Sequence, residues 1–355
     1  MAGGIAAELL PWFDRHGRHD LPWQHPRAPY RVWVSEVMLQ QTQVATVIRY
    51  FERFVRALPD VPALASASED QVFALWSGLG YYRRARHLHH AAQVCVARHG
   101  GELPRDFESL AALPGIGRST AGAILSLAHG QRFAILDGNV KRVLARFHGV
   151  HGWPGERAVE QKLWALADGN TPVERVADYT QAIMDLGATV CTRAKPRCGE
   201  CPLAKDCIAH RQCLTQALPH PRPARAQPQK QTVMLVLRDA RDRILLQRRG
   251  ASGVWAGLWS LPEAKDHTSA NRIASQLAHL DAPAEVLPPF AHAFTHYKLH
   301  AQPLLWSDVR EHRRVADAPD QRWCTREELG ALGIPAPVRK LLDLLHAIIP
   351  DRCTE

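Results

Sequence analysis

Two acidic residues and one run of cysteines could do chemistry. Glu36 stands in Val32-Trp33-Val34-Ser35-Glu36-Val37-Met38-Leu39, where every neighbour except Ser35 is large and apolar. A carboxyl packed among such groups has its charged form disfavoured and its pKa raised, which suits a general acid near neutrality. The bland alternative is a Glu facing solvent from an exposed helix. Asp137, in Leu136-Asp137-Gly138-Asn139, opens a helical pattern over 137–147, where an Asp is an ordinary N-cap. A cap position also sets the carboxylate near the positive end of the helix dipole and should keep it ionised. The cysteines read Cys191-x6-Cys198-x2-Cys201-x5-Cys207. Four thiolates in so short a loop suit zinc or a [4Fe–4S] cluster. Only one pair is two residues apart and the four form one continuous loop, which favours iron–sulfur over paired zinc knuckles. A cluster that folds the loop is expected over one that carries electrons. Arg193, Lys195, Arg197 and Lys205 lie between the cysteines and could face a phosphate.

These groups need elements to hold them. Leu113-Pro114-Gly115-Ile116-Gly117 is a tight turn between helical patterns at 106–112 and 118–128. Pro114 ends the first, and Gly115 and Gly117 allow φ values that other residues resist. Backbone N–H groups left uncovered at the start of the second pattern suit a phosphate. A plain helix–turn–helix connection is the alternative. An amphipathic helix is expected within 1–20, a loop at 21–26, and a long helical pattern over 30–58 with a break near Gln40-Gln41-Thr42. Further helices are expected at 69–77, 83–98, 157–168 and 173–187, so the first 210 residues read as all-α. Residues 211–230 hold four prolines, four Arg or Lys and no acid, the composition of a linker. Period-two patterns follow at 232–237 and 244–247, with a strand expected at 296–306 and a helix at 338–349. This is a smaller α+β domain.

The chain has 355 residues, enough for two domains, each with its own core. Its net charge is +9 and its pI about 9.3, which favours a polyanionic partner. No apolar run is long enough for a membrane span, and the N-terminus lacks the basic and apolar regions of a signal peptide. A cytoplasmic, nucleoid-associated protein is expected. Its eight cysteines would then stay reduced, so crowding points to metal rather than disulfides.

Taken together, Ser35-Glu36-Val37-Met38-Leu39-Gln40-Gln41-Thr42, Gly78-Leu79-Gly80-Tyr81-Tyr82, the Leu113–Gly117 hairpin, Leu136-Asp137-Gly138-Asn139-Val140 and the four cysteines resemble the MutY family of adenine DNA glycosylases. That family lies within the helix–hairpin–helix glycosylase superfamily. The resemblance implies a multi-domain fold. An all-α catalytic domain over 1–210 would carry the cluster loop at 191–207. A Nudix-like α+β domain over 231–350 would follow the linker. It implies hydrolysis of adenine from double-stranded DNA holding 8-oxoguanine:A or G:A mispairs, after the base is flipped out. Glu36 would protonate the departing base at N7, Asp137 would stabilise the oxocarbenium-like sugar, and Asn139 would orient water and Asp137, a logic parallel to two-carboxylate glycoside hydrolysis. Leu21 and Trp23 would wall the pocket. Gln24 stands where some relatives have Arg, and Gln181 where some have a Glu that reads the adenine edge. Gln41 and Tyr81 resemble residues that fill the helix around the lesion. Leu113, Gly115 and Gly117 would grip a phosphate, with room for a monovalent cation. In bifunctional relatives a lysine occupies the position of Ser119, and a hydroxyl cannot form an imine, so a glycosylase without lyase activity is expected. A monomer is expected.

In the second domain, Phe294-Thr295-His296 matches a loop that probes 8-oxoguanine in this family. The region 263–280 lacks the Glu-rich box of hydrolytic Nudix domains, so nucleotide hydrolysis is not expected. The rival readings are an endonuclease III-like glycosylase/lyase, opposed by Ser119, and a DNA-scanning protein without chemistry, opposed by the intact Glu36 and Asp137.

Overall fold

The computed structural model describes residues 4–223, 226–250, 252–294, 297–312 and 318–348. By its contacts the chain forms two compact units, Met1–Ser66 with His87–Ala224, and Ala67–Arg86 with Arg225–Glu355.

The first unit is helical. Its core is built from α1 (Ile5–His16), α2 (Pro29–Leu39), α3 (Val44–Ala57), α4 (Val61–Ser66), and most of α6 (Arg83–Arg98). The later helices are α7 (Phe107–Ala111), α8 (Arg118–His129), α9 (Gly138–Phe147), α10 (Arg157–Asn170), α11 (Val176–Thr189) and α12 (Ile208–Arg211). Pro29 starts α2 at its first turn, where a missing N–H costs nothing. The expected break falls between Leu39 and Val44, where Gln41 sits at a φ of +58°. Helix α8 is the central post: Ala121 through Leu127 are buried, and α2 and α11 pack against it. Helix α11 also packs on α9 and α1. Helices α2, α8, α9 and α11, with the segments 18–23 and 40–43, supply the side chains of the site below.

The second unit holds a mixed sheet. Strand β1 (Gln229–Asp239) runs parallel to β4 (Lys298–Glu311) and antiparallel to β2 (Ile244–Arg248) and β3 (Glu263–Ala264). Alternation along β1 sorts its side chains between two cores. Val233, Leu235 and Leu237 pack with Ala270, Ala274 and Leu277 of α13 (His267–Leu277). Met234 and Val236 pack with Val338 and Leu342 of α14 (Ala336–Ile348). The period-two segments at 232–237 and 244–247 are therefore strands, as expected. Helix α13 has no counterpart among the expected elements: two of its three buried residues are alanines, too small to mark a periodic apolar face. Segment 67–86 brings α5 (Glu69–Trp76) into this unit. Arg248 donates to Glu69 Oε2 at 2.8 Å, Trp259 Nε1 to Asp70 Oδ1 at 3.1 Å, and Tyr82 Oη to the Ile334 carbonyl at 3.0 Å.

Candidate active site

A cavity of about 790 Å³ opens among α2, α8, α9 and α11. Its wall includes Leu21, Trp23, Glu36, Gln41, Ser119, Asp137, Asn139 and Gln181. Side chains spread over 161 residues of sequence are thus brought to one place (21 to 181).

Glu36 reaches the cavity from the last turn but one of α2, whose Trp33, Val34, Val37 and Met38 are buried. Burial pushes its carboxyl up to about 8, and the negative charge of Asp137 adds to the rise. Asp137 caps α9: its Oδ1 accepts from the Val140 N–H at 2.7 Å. The cap does not prevail as the sequence suggests. Burial raises the Asp137 pKa and outweighs the opposing pull of the Val140 and Asn139 N–H groups, Arg142 and Lys141. The two carboxyls still differ in kind. Asp137 has N–H donors and cations that favour its charge, whereas both influences on Glu36 favour its proton.

Neighbours fix the approach of these groups. The Leu136 N–H donates to Ser119 Oγ at 2.9 Å, so Ser119 pins the residue before Asp137. Asn139 Oδ1 accepts from Arg142 Nη2 at 2.8 Å, and the same guanidinium donates to the Gly187 and Cys191 carbonyls at 2.6 and 2.7 Å. With its oxygen committed to Arg142, the amide of Asn139 is set in one orientation. Gly187 lets α11 approach closely: a Cβ there would stand 2.6 Å from the Asn139 Cβ. Trp23 is buried with its ring edge-on to Phe51 at 5.4 Å. Gln24 is buried but does not line the cavity; its amide donates to the Arg18 carbonyl and accepts from the Leu21 N–H. Lys141, the nearest lysine in sequence to Asp137, pairs with Glu160 at 2.6 Å.

The hairpin has the expected form. Leu113 and Ile116 are buried, Gly115 has a φ of +79°, and Gly117 caps α8 without a side-chain partner. At Gly115 an added Cβ would lie 2.7 Å from the His87 Cβ, so glycine is required by both conformation and space. In the second unit Tyr81 is 50 % exposed at a φ of +51°. That backbone is unfavourable for a non-glycine residue and typical of functional positions. Phe294 sits among rings, 4.6 Å from His292, 4.7 Å from Tyr297 and 5.2 Å from Trp255. Thr295 and His296 lie outside the described residues.

Cys191, Cys198, Cys201 and Cys207 are free, partly buried thiols. Burial pushes Cys201 up to about 12, and the charges of Cys191, Cys207 and Cys198 add to this, so all four stand within electrostatic reach of one another. Among the described residues no three His, Cys, Asp or Glu converge as a single metal ion requires. Donors are already aimed at the sulfurs: Arg146 Nη1 lies 3.3 Å from Cys191 Sγ, the Leu203 N–H bonds to Cys201, and those of His210 and Ala209 to Cys207.

Two charged residues of the site escape motif reasoning. Arg18 lines the cavity, and it binds the buried Asp185 through its backbone N–H at 2.7 Å and its guanidinium at 2.6 and 2.9 Å. The partners are 167 residues apart. The one local signal is that Asp185 follows Gln181 by one helical turn.

A helical domain with a glycine-rich hairpin and paired carboxyls beneath a cavity is the architecture of base-excision glycosylases. The family model for HhH-GPD superfamily base excision DNA repair proteins matches residues 34–169, and a NUDIX domain model matches 233–344. Adenine DNA glycosylase of Buchnera aphidicola (subsp. Acyrthosiphon pisum) is 35% identical over 94% of this chain and 95% of its own. The human adenine DNA glycosylase is also 35% identical, over 97% of this chain and 74% of its own. A thermostable thymine-DNA glycosylase structure superposes with a TM-score of 0.53 at 27% identity, covering 59% of this chain and 96% of that one. An endonuclease III–DNA complex shares the fold, with a TM-score of 0.50 at 23% identity over 59% of this chain and 94% of that one. The chain belongs to the MutY family of adenine DNA glycosylases. It is an adenine-specific, DNA-binding glycosylase of base excision repair. No helix among the described residues is long and apolar enough to cross a membrane.

Proposed function

We propose that this enzyme hydrolyses the N-glycosidic bond of adenine mispaired with 8-oxoguanine or guanine, and stops at base removal. What supports this most is that Glu36 and Asp137 line one cavity, and that N–H donors and cations around Asp137 favour its charge while the influences on Glu36 favour its proton. The flipped adenine lies against Leu21 and Trp23. Protonated Glu36 delivers its proton to N7, and the C1′–N9 bond breaks with its electrons going to the base. The carboxylate of Asp137 stabilises the cationic sugar until water adds at C1′, helped by Asn139. The water's proton leaves with the solvent, and the products are adenine and an abasic site.

Gly115 and Gly117 present backbone N–H groups to a DNA phosphate, with Leu113 anchoring the turn and a monovalent cation completing the grip. Gln41 and Tyr81 each take the role of filling the helix around the lesion. Phe294, with Thr295 and His296, probes the 8-oxoguanine. Ser119 has no amine with which to attack the sugar, so no strand cleavage accompanies base release.

Cys191, Cys198, Cys201 and Cys207 hold a [4Fe–4S] cluster. The four thiols stand in mutual electrostatic reach, and their spacing as one continuous loop with a single pair two residues apart favours iron–sulfur over paired zinc knuckles. When bound, the cluster ties the 191–207 loop together and is not a reactant. Single-turnover base release on duplexes holding adenine opposite 8-oxoguanine, guanine and thymine tests the substrate assignment. Equal rates on all three would refute it.

A further inference from the structure

Gln181 meets the cavity through an amide whose two ends have opposite hydrogen-bonding character, so which end faces the base decides what is read. The amide is 4 % exposed and sits on α11 one turn before Asp185, which is 1 % exposed. Gln181 Nε2 donates to Asp185 Oδ1 at 2.8 Å. Both Asp185 oxygens accept from Arg18, one from its backbone N–H and the other from its guanidinium, and a carboxylate in such a pair only accepts. The end of Gln181 that faces it must therefore be the NH2 group. Its Oε1 accepts no hydrogen bond among the described residues.

We infer that Asp185, held by Arg18, is a positioning residue that locks the Gln181 amide with its oxygen toward the base, making position 181 a fixed acceptor for an exocyclic amine. This rests on the adenine reading proposed above and deepens it. An acceptor at that place pairs with the N6 amino group of adenine. It opposes the O6 carbonyl of hypoxanthine or guanine, where two lone-pair atoms would meet in a buried site. Loss of the lock has a sign. Arg18 donates to the same Asp185 oxygen as Gln181 does, at 2.6 and 2.9 Å. With Asp185 gone, the Arg18 guanidinium and the Gln181 amide both lose the acceptor they share. The amide is then free to turn over and show its NH2 to the base, which favours a carbonyl.

The test is single-turnover release of adenine and of hypoxanthine, each opposite guanine in otherwise identical duplexes, by the full chain. In Asp185→Ala the adenine-to-hypoxanthine rate ratio is expected to fall about tenfold, the equivalent of one hydrogen bond of about 1.4 kcal/mol. General loss of structure would slow both bases and leave the ratio alone, so an unchanged or higher ratio overturns the inference. Should Asp185→Ala not fold, as removing one partner of a buried ion pair can cause, Gln181→Leu decides. A fallen ratio there supports the fixed acceptor, and an unchanged ratio overturns it. Release of neither base by the wild-type enzyme takes down the adenine reading itself. Adenine release with an unmoved ratio in the variants sinks only the lock.

Discussion

Glu36 and Asp137 face one cavity, and the negative charge of Asp137 adds to the burial that pushes Glu36 up to about 8. The Asp137 carboxylate thus helps to keep Glu36 protonated near neutrality, the same environmental separation of roles by which other paired carboxyls act as acid and as stabiliser.

This has a consequence for stability as well as rate. The Glu36 carboxyl has a folded-state pKa raised above its value of 4.5 in the unfolded chain. Its contribution to stability is therefore present in full below 4.5 and is lost as pH rises through about 8. Base release should decline over the upper part of that window as the acid loses its proton. Glu36→Gln, which carries no ionisable group there, should be nearly inactive yet increasingly more stable than wild type as pH rises. Thermal melts of both proteins across that range check this; parallel melting curves would contradict it.

Asn139 depends on two supports, Arg142 and the close approach of α11 at Gly187. In Gly187→Ala the added methyl meets the Asn139 Cβ at 2.6 Å, and a local shift costing about 1–3 kcal/mol is expected. Adenine release should slow more than DNA binding weakens, because Asn139 acts at the sugar. Denaturant melts and single-turnover rates measure the two effects separately.

The cysteine loop can be tested without activity. Cys201→Ser should lose most of the roughly four irons per chain expected of the cluster, while the exposed Cys213→Ser should keep them. Iron and acid-labile sulfide assays decide this, and full iron content in Cys201→Ser would remove Cys201 from the ligand set.

Ser119 has a structural hydrogen bond to Leu136 and no amine. The wild-type enzyme should leave strands intact until alkali is added, and borohydride should trap no covalent complex at a rate matching base release. Ser119→Ala should cost about 0.5–1.5 kcal/mol of stability through the lost bond.

For the second unit, Phe294→Ala should reduce the preference for 8-oxoguanine:A over G:A several-fold, since stacking on a base contributes about 1–3 kcal/mol. An unchanged preference would assign Phe294 to packing among Trp255, His292 and Tyr297 alone.

Much of the molecule was legible because its signals are local. Glu36 stands out by its apolar neighbours, Asp137 by its place before a helix, the hairpin by Pro114 and its glycines, and the cysteines by spacing. The break at Gln40–Thr42 and the strands at 232–237 and 244–247 follow from periodicity. What was not legible depends on contacts far apart in sequence. Arg18 and Asp185 meet across 167 residues, and no pattern in either segment announces it. Gln24 looks like a pocket residue until its amide is found bonded to Arg18 and Leu21. The pKa of Asp137 is a balance between a cap, which sequence reveals, and burial, which it does not. Likewise, the helical pattern at 69–77 is plain, but periodicity cannot tell that α5 packs with the sheet-bearing unit.

The most direct measurement is single-turnover release of adenine from an 8-oxoguanine:A duplex by wild type, Glu36→Gln and Asp137→Asn, with DNA affinity measured alongside. Both variants should bind the duplex with near-wild-type affinity and release adenine at least about a hundredfold more slowly, the scale of a lost general acid or charge stabiliser. Adenine release at the wild-type rate by either variant, with binding intact, would contradict the two-carboxyl mechanism.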